Sequence, residues 1–264
     1  MAMPRSIDVV ERDPWTTAAK VESAALGRTM PVEAFVPLAA SRGPGSVPIA
    51  FLFHGRGADE TQWFEGHGGD GVGLDRLAHT LVADGTLPPL VIVSAAIDDS
   101  YGLDSSPAAD GYDHGPYERY ILDELMPTME ARYVGGVPSR RLVGGLSMGG
   151  ETALRFAYQH PDLFERVAVA SPALWLSSPP AERTWIYDPG NDPLRLVRTV
   201  NPLPPTFLGY GRDDYDWIRA GTTELAKRLT ARGEPNEPLV VPGGHDVGTW
   251  RALARPLLLA LVGS

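Results

Sequence analysis

One serine framed by glycines is the residue of this chain best placed to do covalent chemistry. Gly145-Leu146-Ser147-Met148-Gly149 has the G-x-S-x-G spacing of a nucleophile elbow, a sharp strand-to-helix turn that exposes a serine oxygen and tolerates only small neighbours. A serine hydroxyl attacks poorly until a histidine takes its proton and a carboxylate orients that histidine. In this type of site the partners follow the serine in the order acid, then histidine. His245, in Pro242-Gly243-Gly244-His245-Asp246, lies near the C-terminal end and follows the apolar segment 238–241. The acid is expected after the strand-like segment Thr206-Phe207-Leu208-Gly209-Tyr210-Gly211, at Asp213 or Asp214. Neighbouring side chains on an extended backbone point different ways, so one of the two faces His245; the residues themselves leave the choice open.

Acyl transfer also needs two backbone N–H groups aimed at the oxygen that becomes negative. Met148, directly after the nucleophile, is expected to supply one. The other is expected from the loop His54-Gly55-Arg56-Gly57 after the early apolar segment 49–53, with Arg56 the first choice and Gly57 the second. His54 precedes the serine and reads as a residue that holds this loop.

The elements that must position these groups are legible around them. Arg141-Leu142-Val143-Gly144-Gly145-Leu146 is a short apolar run suited to a buried strand, and residues 151–158 carry apolar side chains at helical spacing before His160-Pro161 stops the helix. Further strands are expected at 31–37, 48–53, 89–94, 166–170, 205–210 and 238–241. Helices are expected at 74–83, 116–133, 149–159, 217–231 and 248–261, with a kink at Pro127 where the bond to the Asp123 carbonyl is lost. This alternation argues an α/β fold, a mostly parallel central sheet with helices on both faces, in a single domain spanning 1–264 with 1–23 as an N-terminal extension. Irregular segments at 63–73, 97–115 and 175–192 are expected to build the mouth of the site, where α/β sheets bind ligands. Trp63, His114 and Trp175 are the substrate-binding candidates among them.

With these residues assembled, the chain resembles the esterase D branch of the α/β-hydrolases, which includes S-formylglutathione hydrolases, feruloyl and acetyl xylan esterases, enterochelin esterases and mycolyltransferases. The resemblance runs over about residues 24–255. It rests on Pro31-Val32-Glu33-Ala34-Phe35-Val36-Pro37, Phe53-His54-Gly55, Glu124-Leu125-Met126-Pro127, Ser147-Met148-Gly149-Gly150, His160-Pro161-Asp162-Leu163-Phe164, Ser171-Pro172-Ala173-Leu174 and Gly243-Gly244-His245-Asp246. It implies a single α/β-hydrolase domain without a large separate lid. The acid of relatives follows a Gly-x-x-Asp pattern, which laid on Gly211-Arg212-Asp213-Asp214 favours Asp214.

Composition narrows the partners. The net charge of −10 disfavours a nucleic-acid track or an anionic membrane surface. Cysteine is absent, so disulfides, a thiol nucleophile and thiolate metal sites are excluded. No metal or cofactor motif stands out: Gly66-His67-Gly68-Gly69-Asp70-Gly71 matches G-x-G-x-x-G but does not directly follow a strand, and the acidic run at 98–113 lacks the spacing of a calcium loop. The N-terminal residues have no apolar signal region, giving the expectation of a cytoplasmic protein. The expected partner is a small-molecule ester, thioester or acyl substrate, and the expected function a serine esterase or thioesterase working through an acyl-enzyme. Two alternatives stand beside it: an acyltransferase or biosynthetic tailoring enzyme using the same site, and a non-catalytic binding protein that keeps the fold. The oligomeric state is not encoded in any motif.

Overall fold

The computed structural model describes residues 9–37, 47–64, 70–107, 111–176, 185–186 and 188–263. Residues 66–69 of the glycine-rich run, Asp110 of the acidic run, and residues 177–184 and 187 of the segment expected at the site mouth lie outside the described residues. The chain divides into two compact units, Met1–Leu52 with Gly57–Arg141, and Phe53–Arg56 with Leu142–Ser264.

The first unit contains strands β1 (Val9–Asp13), β2 (Thr16–Ser23), β3 (Arg28–Phe35), β4 (Ile49–Phe53, whose last residue belongs to the second unit) and β5 (Val91–Ala95), in the order β1-β2-β3-β5-β4. The β1–β2, β2–β3 and β3–β5 pairs are antiparallel. Residues 9–23, expected as an extension, are therefore two strands of the sheet. Thr16–Ser23 has Val21 as its one large apolar side chain, a weak apolar signal, and its pairing with every residue of Arg28–Phe35 is decided by the neighbouring strand. Helix α1 (Leu74–Ala83) buries Leu74, Ala78 and Leu81 at helical spacing.

The long helix expected at 116–133 is present in three pieces: α2 (Tyr117–Arg119), a π-helical stretch (Tyr120–Leu125) and α3 (Met126–Tyr133). Pro127 has no N–H to give and sits in the first turn of α3, where none is needed; the wider π turn before it absorbs the break. Tyr117, Ile121 and Leu125 are buried as their shared face predicts, while Tyr133 is half-buried and its hydroxyl shares a 3.0 Å hydrogen bond with Thr17.

The second unit is the chemically important one. Strands β6 (Arg141–Leu146), β7 (Arg166–Ala170), β8 (Thr206–Gly211) and β9 (Leu239–Val241) are adjacent in that order and all parallel. Helices α4 (Met148–Gln159), α5 (Pro193–Leu196), α6 (Asp216–Ala231) and α7 (Val247–Val262) complete it, with α4 packed on β7, and α7 on β7 and β8. Leu142, Val143, Val167 and Val169 are buried, as a sheet covered on its faces requires. The register pairs Leu146 with Ala170 and Ala170 with Gly209, then Gly211 with Val241. The carboxyl ends of the strands thus form one edge, and the loops leaving it carry Ser147, Asp214 and His245.

Candidate active site

Ser147 caps α4 with φ 52° and ψ −117°, a left-handed conformation unusual for a residue with a Cβ. The backbone around it explains the glycines. A Cβ on Gly145 would lie 2.0 Å from the Gly149 carbonyl oxygen, and one on Gly149 would lie 2.2 Å from the Phe53 oxygen. The Gly149 N–H donates to the His54 carbonyl at 3.0 Å, and those of Gly150 and Glu151 donate to the Ser147 carbonyl at 3.1 and 3.2 Å. So the G-x-S-x-G spacing is a steric demand of the strand 141–146, the elbow and the Phe53–Arg56 segment meeting backbone to backbone. Gly149→Ala is accordingly expected to destabilise the protein by at least about 2 kcal/mol, because the added methyl meets backbone that cannot swing away. Denaturant unfolding checks this; a variant as stable as the unmodified protein would contradict it.

The imidazole of His245 lies between the other two groups. Its Nδ1 is 2.8 Å from Asp214 Oδ1 and its Nε2 is 2.9 Å from Ser147 Oγ. The Asp214 side chain has no exposed surface, and its Oδ1 also accepts the Tyr215 N–H at 2.8 Å. Asp213 is exposed, with its N–H donated to the Gly243 carbonyl. Of the aspartate pair the structure brings Asp214 to His245. The loop that presents His245 is tied by Asp246, the N-cap of α7, which accepts the Thr249 N–H at 2.9 Å and the Gly244 N–H at 3.0 Å; these backbone bonds hold its carboxyl below the usual aspartate range.

Other expected residues fall as follows. The buried His54 donates from Nδ1 to the Gly55 carbonyl at 2.8 Å, within the loop it was expected to hold. The Gly57 N–H, the second choice for an oxyanion donor, is engaged by Asp99 Oδ1 at 2.6 Å. Trp63, expected at a site mouth, has no exposed surface and belongs to the core of the first unit. His114 is half-buried, and its Nδ1 shares a 2.9 Å hydrogen bond with Ser105 Oγ in that unit. The acidic run there works as a set of ties: Asp98 accepts from Arg28 and Tyr117, Asp113 accepts the Asp99 N–H, and Asp104 accepts the Arg119 N–H. Trp175 is half-buried and stacks on Trp217 at 4.6 Å. Tyr215, Trp217 and Trp250 were not expected near the site. For Tyr215 and Trp217 the sequence signal was the aromatic density of Asp214-Tyr215-Asp216-Trp217, directly after the acid.

The family model described as "Putative esterase" matches residues 23–258 of this chain. The chain belongs to this esterase family. Among curated relatives, it is 28% identical over 209 residues to the endo-1,4-beta-xylanase/feruloyl esterase of Xylanibacter ruminicola, covering 77% of this chain and 25% of that protein. It is 34% identical over 235 residues to the Nocardia uniformis protein named "Putative esterase NocK", covering 89% of this chain and 62% of that one. The chain thus spans less than two thirds of the length of either relative. An S-formylglutathione hydrolase structure from Agrobacterium tumefaciens aligns over 96% of this chain and 99% of its own, with a TM-score of 0.74 at 16% identity, a likeness of the α/β-hydrolase fold. Among the described residues, no helix is long and apolar enough to cross a membrane.

One ionisable group of this esterase-family elbow stands outside the Ser147–His245–Asp214 line. Glu151, one turn after Ser147 on α4, is fully buried, and neither carboxyl oxygen has a hydrogen-bond partner among the described residues. Burial pushes its carboxyl up to about 8 from an ordinary 4.5, against the Arg155 cation, which pulls it down, and with a smaller rise from Asp192. Between those two values the folded protein keeps a proton that the unfolded chain has released, so stability falls as pH rises, on the order of 1 kcal/mol per pH unit. Glu151→Gln removes the titrating group. The stability of this variant relative to the unmodified protein is expected to grow between about pH 5 and about pH 8 in urea unfolding; a difference independent of pH would contradict the assignment.

Proposed function

We propose that this protein is a serine esterase that cleaves a carboxylic ester or thioester through an acyl-enzyme. The observation that carries the reading is the unbroken hydrogen-bonded line from buried Asp214 through His245 to Ser147 at 2.8 and 2.9 Å. Family membership supports the same chemistry. Ser147 Oγ attacks the acyl carbon as His245 Nε2 takes its proton. Asp214 accepts the His245 Nδ1–H, fixing the tautomer and offsetting the positive charge that the imidazole gains. The N–H groups of Met148 and Arg56 bind the oxygen of the tetrahedral intermediate. The next three N–H groups of α4 have their own acceptors, so the Met148 N–H is the one at that helix end assigned to substrate. His245 then protonates the departing alcohol or thiol. Water attacks the acyl-serine with the same histidine as base, and the acid leaves. This line of three groups also supports an enzyme over a non-catalytic binding protein.

Acyl-enzyme formation gives the test. An aryl ester that deacylates slowly should release a burst of phenol equal to the enzyme concentration, and acid-quenched samples should carry the acyl mass on the Ser147 peptide. Acyl mass on any other residue would contradict the mechanism. Addition of an alcohol should leave the free acid as main product; a new ester in its place would move the reading to acyl transfer.

A further inference from the structure

The second unit carries aromatic surface next to His245 that the proposed chemistry leaves unused. Tyr215 is 57% exposed, and its ring centre lies 5.1 Å from that of His245. The Trp217 ring is 6.3 Å from Tyr215 with only 7° between the planes, and Trp175 stacks on Trp217 at 4.6 Å and 23°. Three near-parallel rings are therefore linked in series, the first of them beside the histidine. The other ring against His245, that of Trp250, meets it edge-on at 5.3 Å, is 7% exposed, and donates its indole N–H to Ser171 Oγ at 3.4 Å. One neighbour of the imidazole is thus core, and the other is open.

The fold builds this arrangement deliberately. Tyr215 is the N-cap of α6 and Trp217 lies in its first turn, directly after the acid that holds His245. One turn further on, a Cβ on Gly221 would lie 2.1 Å from the Leu174 carbonyl oxygen. Glycine there lets α6 close on the segment that carries Trp175, and so lets the two tryptophans meet. Aromatic rings ordinarily contribute most when buried; an exposed tyrosine backed by two half-buried tryptophans next to a histidine is surface suited to a flat guest.

We propose that Tyr215, Trp217 and Trp175 form a stacking shelf for the alcohol half of the substrate, and that the preferred leaving group is an aryl-bearing alcohol. This rests on the esterase reading of Ser147 and His245. In that reaction the carbonyl oxygen turns to Met148 and Arg56, and the acyl carbon bonds to Ser147 Oγ. As the acyl carbon–oxygen bond breaks, the leaving oxygen takes the proton that His245 Nε2 received from Ser147, so it must come within hydrogen-bond reach of that nitrogen. The alcohol therefore departs beside the imidazole, whose ring centre lies 5.1 Å from that of Tyr215. In the second step water gives its hydroxyl to the acyl carbon and its proton, through His245, back to Ser147. The near-parallel planes of Tyr215 and Trp217 suit a planar group of similar width.

Paired substrates test the shelf. Benzyl and allyl esters of one short acid have alcohols of similar acidity and differ in the ring. Tyr215→Ala and Trp217→Ala should each lower the benzyl-to-allyl ratio of kcat/KM about fivefold to tenfold, the range expected for losing one aromatic stack, while Tyr215→Phe should keep the ratio. An unchanged ratio in both alanine variants would overturn the shelf. So would a change confined to aromatic acyl groups on a common alcohol, which would place the rings on the acyl side. Fluorophosphonate labelling of Ser147 is measured in parallel because fluoride, its leaving group, makes no use of a shelf. Labelling with an unchanged ratio refutes the shelf alone; absence of labelling in the unmodified protein refutes the esterase reading and the shelf's role with it.

Discussion

Ser147→Ala should abolish covalent labelling by a fluorophosphonate and lower ester turnover on the order of 10⁶-fold, the scale at which a serine nucleophile and its histidine act as one unit. The change removes a single oxygen, the one 2.9 Å from His245 Nε2. Alanine keeps the Cβ that serine already carries at φ 52°, so the elbow is no more strained than before. The Ser147 N–H still donates to the Ala170 carbonyl at 2.9 Å, and the Ser147 carbonyl still accepts from Gly150, Glu151 and Ala173. Thermal unfolding should therefore shift little, which separates loss of chemistry from loss of fold. Labelling that persists at another serine of the variant, or activity within tenfold of the unmodified protein, would remove Ser147 from the mechanism.

Asp214→Asn should lower kcat on the order of 10⁴-fold, and Asp213→Asn by about tenfold or less. An amide at position 214 offers His245 Nδ1 a donor where a carboxylate accepts, which favours the wrong tautomer and leaves the imidazolium without its counter-charge. The buried Oδ1 also receives the Tyr215 N–H, so the substitution disturbs a hydrogen-bonded group that has no exposed surface. Asp213 is held by its backbone to Gly243, and its side chain faces solvent. The measurement is kcat on an activated ester for both variants, with fluorophosphonate labelling rates as a second readout. The reverse ranking would transfer the role to Asp213; small effects for both would place the acid elsewhere.

Much of this could be read without coordinates because local geometry demanded it. The elbow glycines at 145 and 149 sit where a Cβ would strike backbone, so the motif records a steric requirement rather than a preference. Strands β6 and β7 show as short apolar runs because both of their faces are covered, and the helices between the parallel strands show as apolar periodicity. What adjacent side chains do on a turning backbone was beyond local reading: Asp213 and Asp214 are the same residue type one position apart, and only the fold turns one inward. The strands at 9–23 were missed for a related reason, since a half-polar strand is defined by the partner it pairs with. Trp63 and Trp175 illustrate the same limit from the apolar side. Both are tryptophans in irregular segments, yet one is core and the other stacks on a helix that Gly221 admits to close approach. The sequence by itself determined the strands from β3 onward and the longer helices, and it marked the candidate nucleophile and histidine, because each is fixed by neighbours within a few residues. The tertiary structure alone decided which carboxylate meets the imidazole and which aromatic rings stay open beside it, because those depend on contacts between segments distant in the chain.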